Sequence, residues 1–512
     1  MRAGVWLKDR VKRAISAGQV HLPARSSKQW NRTTILMLGC TAFLLGLVIA
    51  RRFDNLNGWV VLPLMGAVLV TYRRRGAITI LCIVMAGLSL GIWRGGVYLH
   101  ELQPYRALAL QKVAFTATAN VDAVYGKNSQ ITFTARNVRF TYPRQQSVPG
   151  TIKVSGFGLN MVYRGDRVMV RGSLYPTRGA NQATVAYAEL SKVGSSSTAI
   201  DTVRRKFSAG MQTALPEPAA SFGLGLLVGQ RNTLPDAVTQ ALLMVGLTHI
   251  IAVSGYNLTI LLEATRRLLG GRSKALSTAT ALALIFGFLL IAGTSASIVR
   301  AAVISVLGLA AWYYGRTVRP VLLLLLAAAG TAYANPVYIW ADISWYLSFL
   351  AFFGILVLGP IVTHLVYKRR QPSLIGQVLI ESLCAELMTI PFVLYIFGQM
   401  SLVSLLANML VVALIPIAML LSFIAGLAGM LFGGISGWFA WPAQVLLTYM
   451  LDIVNLLSHI PDVFQQNRYL SAADMAGCYA ALVALLLFAY WRRRQRAQFG
   501  VALPFEMAQR SN

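Results

Sequence analysis

Residues 77–93 read AITILCIVMAGLSLGIW, an uncharged run that ends at Arg94. A helix needs about 20 predominantly apolar residues to cross the hydrocarbon of a bilayer, and this run nearly supplies them. Similar runs precede it at 35–50 and 57–72. Others follow at 247–269, 275–293, 297–314, 319–334, 346–365, 374–397, 402–433, 437–459 and 472–490. Together they predict an α-helical polytopic membrane protein of about twelve spans. Composition agrees: of 512 residues, 56% are hydrophobic and 12% charged, where soluble chains carry about 25% charged residues. Region 402–433 is too long for one straight helix, contains Pro416 and ends in Gly426, Gly429, Gly433 and Gly434. It reads as one crossing plus a broken or re-entrant piece, or as an ordinary kinked helix.

The remaining charge is lopsided, 46 Lys+Arg against 17 Asp+Glu, for a formal net charge of +29. Cytoplasmic loops collect Lys and Arg, and the spans can be threaded to satisfy that rule. With the basic segment 1–33 inside, alternation also places Arg73–Arg75, Arg266/Arg267/Arg272/Lys274, Arg316/Arg319, Lys368–Arg370 and Arg492–Arg494 inside. Only Arg51-Arg52 breaks the pattern. Both termini are then cytoplasmic and residues 94–200 lie outside. The long basic start reads as no cleavable signal peptide. The expected segments are 1–33 cytoplasmic, 34–93 N-terminal spans, 94–200 an external domain, 201–245 an amphipathic interfacial connector, 246–490 a membrane core, and 491–512 a basic cytoplasmic tail.

The external segment changes vocabulary. Five strand-like runs, 113–124, 130–140, 151–156, 166–175 and 184–192, are separated by Gly/Asn/Pro turns. Val168 and Val170 alternate with Arg167, Met169 and Arg171, as strand geometry requires. Five short strands in this length predict an inserted β-rich, OB-like barrel. Between Arg94 and Ile200, thirteen Lys/Arg face four Asp/Glu, an excess that topology does not explain on the outer side. Arg136, Arg139, Arg144, Lys153, Arg164, Arg167 and Arg171 are candidate phosphate contacts, interleaved with Phe133, Phe140, Tyr142, Phe157, Tyr163 and Tyr175. Cations beside aromatic platforms suit single-stranded nucleic acid. The same cations would also rest on anionic headgroups, and the aromatics are expected to fill the barrel interior.

Within the spans, ionisable residues are costly and mark function by default. GLTHIIAVSGYNLTI, 246–260, carries His249, Ser254, Gly255 and Asn257; GTSASIVR, 293–300, places Ser297 ahead of Arg300. Small residues at a helix start beside an arginine suit an anion such as phosphate. The bland alternative pairs Arg300 with Asp342, Glu381, Glu386 or Asp452 for structure alone. Cys40, Cys82, Cys384 and Cys478 lie in apolar runs and the five histidines are scattered. No metal site, cofactor or catalytic residue is therefore expected.

Four ordered blocks resemble those of the ComEC-type competence family of DNA-uptake channels. They are GLLVGQRNTLPDAVTQALLMVGLTHIIAVSGYNLTIL (225–261), GTSASIVRAAVISVLG (293–308), NPVYIWADISWYLSFLAFFGILVLGP (335–360) and PFVLYIFGQMSLVSLLANMLVVALIP (391–416). The layout of early spans, external OB-like domain and later spans is similar too. The resemblance implies a channel that imports single-stranded DNA across a bacterial plasma membrane during natural transformation, with His249, Ser254, Gly255, Asn257, Ser297 and Arg300 at the channel or its gate. It implies membrane lipids, a DNA receptor, a separate nuclease and a cytoplasmic motor or strand-capture protein as partners. The chain shows no nucleotide-binding P-loop to supply force. Two departures stand out. Tyr256-Asn257 replaces a second histidine found in many members, and the metallo-β-lactamase-like domain of long members is not represented. The competing expectation is a transporter or flippase for another anionic substrate, such as a lipid-linked phosphate or glycan.

Overall fold

The structure is a computed structural model and describes residues 30–52, 61–71, 76–125, 130–159, 161–176, 181–195, 199–230, 233–251, 273–292, 296–315, 319–367 and 373–498. The chain divides into two compact units, Met1–His100 and Glu101–Asn512. Expectations for residues 1–29, Arg73–Arg75, 252–272, Arg316, 368–370 and the end of the basic tail lie outside the described residues.

In the first unit the helices Arg32–Ala50 and Ala77–Glu101 cross on glycines. A Cβ on Gly91 would lie 2.2 Å from the Phe43 carbonyl oxygen, and one on Gly46 would lie 2.3 Å from that of Leu88. Without such small residues the backbones could not approach, and close approach is what holds helices together where lipid supplies no hydrophobic drive. The shorter helix Val61–Thr71 is tied in by Thr79, whose hydroxyl donates to the Thr71 carbonyl at 2.8 Å.

The second unit opens with a β-barrel. Strands β1 (Lys112–Ala119), β2 (Val124–Tyr125), β3 (Ile131–Tyr142), β4 (Gln146–Phe157), β5 (Asp166–Pro176) and β6 (Ala183–Ser195) form one sheet ordered β1-β5-β6-β4-β3-β2. An added β1–β3 pairing closes the five long strands into a ring, with β4 and β6 its parallel neighbours. Closure leaves no long edge unpaired. Alternation sets the core: Phe115, Phe133, Phe140, Ile152, Val154, Val168, Val170, Leu174 and Val185 are buried. Phe115 meets Phe140 edge-on at 5.3 Å between centroids. The expectation that the aromatics fill the barrel holds for Phe133 and Phe140 and fails for Tyr142, Phe157, Tyr163 and Tyr175, which are exposed. Alanines and β-branched residues close the interior instead.

After the barrel the chain is helical. Five segments of the described chain are long and apolar enough to cross a membrane: Arg32–Ala50, Ala77–Glu101, Ile343–Tyr367, Leu379–Phe397 and Ser404–Ser458. Lys274–Leu290, Ile298–Tyr313, Pro320–Ala334 and Ala472–Leu486 are shorter apolar pieces. The awkward 402–433 region resolves as helices Ser404–Val411 and Ile415–Phe432, joined by a 3₁₀ turn at Val412–Leu414 just before Pro416. A second 3₁₀ turn, Gly433–Ile435, reverses the chain into Ser436–Ser458. Met400–Ser401 pairs antiparallel with Phe464–Gln465, so this hairpin returns to its starting level.

Residues 201–245 hold unlike helices. Ala199–Ala214 is amphipathic, whereas Ala219–Val228 (AASFGLGLLV) is buried almost all round, with Phe222, Leu224 and Leu226 in the main core of the helical region. Ala199–Ala214 lies on Ile415–Phe432 at backbone contact: a Cβ on Gly429 would sit 1.8 Å from the Gly210 carbonyl oxygen, and one on Gly426 would collide with the Phe207 ring. Gly429→Leu should therefore strip folded protein from membrane extracts. Gly477→Leu, at a position with open space around it, should leave the level unchanged, as read by detergent gel filtration.

Candidate nucleic-acid interface and membrane site

Six of the seven expected phosphate contacts lie on the outer surface of the barrel: Arg136, Arg139, Arg144, Lys153, Arg167 and Arg171 are exposed. Pairing gathers most of them on one side. Thr118 of β1 has Arg136 of β3 and Arg167 of β5 as its neighbours, Thr116 has Arg139, and Ala114 has Arg171. A bulge at Arg136–Val138, with Asn137 at φ 55°, keeps Arg136 and Arg139 on the same surface although they are three residues apart.

Arg164 departs from this set. It is half-buried and bound to a junction between barrel and helix. Its Nε lies 3.5 Å from Asp201, its backbone N–H donates to Asp122 at 2.9 Å, and Nη1 reaches the Leu290 carbonyl at 3.5 Å. Arg204 pairs with Asp122 at 3.0 Å, and Arg205 lies over the Tyr163 ring at 4.9 Å. The centre of this junction is Asp166, fully buried at the start of β5. It accepts from the Tyr163 backbone N–H and from Lys192 Nζ, each at 3.0 Å, and sits 3.9 Å from Arg205. Burial alone would raise its carboxyl. The Tyr163 N–H, the Lys192 and Ser195 side chains and the Lys192 charge outweigh that and hold it below the ordinary carboxylate value. Neither Asp166 nor this junction was legible as more than strand-end charge in the sequence.

The membrane site divides into two clusters. Arg300, on helix Ala296–Tyr313, is 0% exposed. Its Nη2 donates to the Ser344 carbonyl at 2.9 Å and to the Ser344 hydroxyl at 3.2 Å, and Nη1 stands 3.7 Å from Asp342 Oδ2. Asp342 also caps helix Ile343–Phe353 by accepting from the Ser344 N–H. Of the four acids expected as partners for Arg300, the structure selects Asp342; Glu381 bonds Gln377 and Glu386 bonds Asn408. The pairing remains incomplete, because Arg300 Nε and Nη1 and Asp342 Oδ2 are buried without a hydrogen bond.

The second cluster contains His249, in the short helix Thr248–Ile251, with its Nδ1 3.1 Å from the Gly246 carbonyl. Gly246, at φ 78°, comes so close to Ser404 that a Cβ would lie 2.9 Å from that residue's own. Ser404 donates to the Ser401 carbonyl at 3.2 Å, and Asn408, on the same helix, donates to Glu386 at 2.8 Å. Ser254, Gly255 and Asn257 fall outside the described residues, and Ser297 is placed only as the second residue of its helix. Thus the first sequence block meets the fourth, and the second meets the third. Among the described residues no group of acids, cysteines and histidines has the form of a metal site.

Comparison with known proteins agrees with the helical region. The model of a family described as competence protein matches residues 226–494. ComE operon protein 3 of Bacillus subtilis (strain 168) is 25% identical over 296 residues, which are 57% of this chain and 37% of that protein. The matched part is thus little more than a third of the relative's length. No solved structure matches.

The depressed Asp166 carboxyl sets a sign for acid stability. Its contribution is complete above the unfolded carboxylate range, about pH 4, and is lost as pH falls through the lower folded value. Asp166→Asn should lower the melting temperature of the full chain at about pH 7 and flatten its decline toward about pH 3.

Proposed function

Because the chain belongs to the competence protein family, we propose that it admits single-stranded DNA across a bacterial plasma membrane during DNA uptake. The observation that carries this reading beyond the family match is the exposed basic surface of the barrel, with Arg136, Arg139, Arg167 and Arg171 flanking β1. The barrel lies outside the membrane on this reading, as the distribution of Lys and Arg supports. Its five-stranded closure, with a single parallel pair between β4 and β6, supports an OB-type assignment, a fold whose surfaces take oligonucleotides. The strand meets these cations first and then passes inward between the later spans. Partners of the kinds expected from the sequence would supply a receptor, a nuclease and inward force.

The gate on this proposal is the Arg300–Asp342 contact with Ser297 close by in sequence, and His249, with Ser254, Gly255 and Asn257 following it in sequence. A buried, under-bonded ion pair is stable enough to stay closed and poor enough in hydrogen bonds to be exchanged for another anion. A phosphate would satisfy the free Nε and Nη1 donors of Arg300.

Two measurements test this. The full chain in lipid nanodiscs should bind single-stranded oligonucleotides with an affinity that falls steeply with salt. Replacing Arg136 and Arg167 together by Ala should reduce the slope of log K against log salt by roughly 1.4, about 0.7 for each phosphate no longer neutralised. Binding indifferent to salt would sink the proposal. Arg300→Ala strands Asp342 and should cost about 3–5 kcal/mol in stability. The double replacement Arg300→Met/Asp342→Leu should recover membrane levels and still fail in uptake. Normal uptake by that double variant would leave the pair a purely structural role.

A further inference from the structure

We propose that the groove where β1, β3, β5 and β6 converge is a base-stacking cradle, in which Tyr142, Tyr175 and Tyr187 receive the bases of a single strand and Lys112 and Arg171 its phosphates. This rests on the reading of the chain as a handler of single-stranded DNA, and it assigns the strand to one defined place on the barrel. The groove measures about 410 Å³ and includes all five of these side chains in its walls. Their placement follows from register. Ala114, a small residue at the floor, pairs with Tyr142 on one side and Arg171 on the other. Lys112 pairs with Ser173, and Tyr175 follows two residues later on the same face. Tyr175 in turn opposes Thr184 of β6. Glu189, the register partner of Arg171, is not part of the lining.

Tyr187 is the observation that singles the groove out. Strand alternation from Ala183 and Val185, both buried, would send Tyr187 into the barrel. A bulge intervenes: Arg171 pairs with Glu189 and Ser173 with Ala186, so β6 carries an extra residue here. Tyr187 takes φ 52°, a left-handed backbone that an aromatic residue rarely adopts, and its ring is 79% exposed. The burial sequence then resumes at Ala188 and Leu190. Two glycines hold β6 at this point. A Cβ on Gly156 would lie 2.2 Å from the Ala188 carbonyl oxygen, and one on Gly172 would lie 2.8 Å from Val185 Cγ1. The fold thus spends an unfavourable backbone to present a bare ring beside Tyr142 (60% exposed) and Tyr175 (39% exposed). Strain of this kind persists where the surroundings over-determine it, and bulges re-aim side chains toward ligands. Every base has a face to stack on, so three rings and two cations in one concavity suit a strand of any sequence. Tyrosines with cations also suit a lipid interface, but these five line a hollow and do not form a band, and the lipid-quenching arm of the test separates the two.

The test uses the full chain in nanodiscs with two probes, an oligothymidylate and an abasic phosphodiester of equal length. The wild type should prefer the thymidylate by roughly tenfold or more, the contribution of a single stacked base. Replacing Tyr142, Tyr175 and Tyr187 by Ala should erase that preference and leave abasic binding unchanged. Lys112→Ala/Arg171→Ala should weaken both probes alike. Tyr187→Gly separates stability from binding: glycine accepts the left-handed backbone, so the melting temperature should hold or rise while thymidylate affinity drops. A folded triple variant that keeps the preference overturns the cradle. So does Tyr187→Trp fluorescence quenched by brominated lipid and untouched by the oligonucleotide, which would place the rings on the membrane. Equal wild-type binding of both probes rejects the cradle and leaves the DNA reading intact. Binding of neither probe rejects both.

Discussion

Where Gly210 meets Gly429, two helix backbones touch with no side chain between them. One belongs to the amphipathic helix that follows the barrel, and the other to the most apolar hairpin of the helical region. Phe207 lies against Gly426 and stacks on Phe423 on the same side, and Met211 enters the main core. Among lipid-facing helices apolar burial gives little preference for one neighbour over another, so contact of this closeness is what selects the partner. The consequence reaches outward. Arg204 and Arg205, earlier on the same helix as Gly210, are placed by this crossing at the barrel's end, where they meet Asp122, Asp166 and Tyr163.

The junction itself shows how a buried charge can be tolerated. Asp166 has lost its water entirely, yet it receives a backbone donor and Lys192, with arginines close by. Desolvation opposes the charged form and the donors favour it; the depressed carboxyl shows that the donors win. Arg300 is equally cut off from water. It has two bonds to Ser344, a carboxylate 3.7 Å away and two buried nitrogens without acceptors. Both places keep buried polar atoms without a hydrogen bond, Asp166 Oδ1, Asp201 Oδ1 and Arg204 Nε at the junction and Arg300 Nε and Nη1 and Asp342 Oδ2 between the helices. They differ in the kind of group left over, mostly acceptors at the first and mostly donors at the second, and spare guanidinium donors are the kind that suit an anion.

Much of this architecture was legible in the sequence, and the gaps have physical causes. Apolar runs located nearly all the described long helices, because a bilayer imposes length and composition directly. Alternation located the barrel strands and placed Val168 and Val170 inside with Arg167 and Arg171 outside. The exposed cations followed from the same rule. What alternation could not carry was a change of phase. Tyr187 lies after a bulge, and the sole trace in sequence is that Val185 and Leu190 are both apolar yet an odd number apart. Arg164 looked like its neighbours because a charge two residues from a strand start carries no mark of the helix that will cover it. Ala219–Val228 was read with its amphipathic neighbour because ten residues are too few to announce a buried helix.

The pairing of the four sequence blocks bears on how the membrane site is built. Gly246, whose carbonyl lies against His249, comes to Ser404 on the helix whose Asn408 bonds Glu386; Arg300 comes to Asp342 and Ser344. The second and third blocks therefore each supply half of a polar contact that the apolar surroundings make costly to leave unmade, whereas the first and fourth meet by close packing at Gly246. Both kinds of contact leave few alternative positions, the one because only a glycine admits so close a neighbour, the other because a desolvated polar pair is costly to break. Both clusters link segments distant in sequence, 246–249 with 404–408 and 300 with 342–344. Displacing either contact therefore requires whole segments to move relative to one another and not single side chains alone.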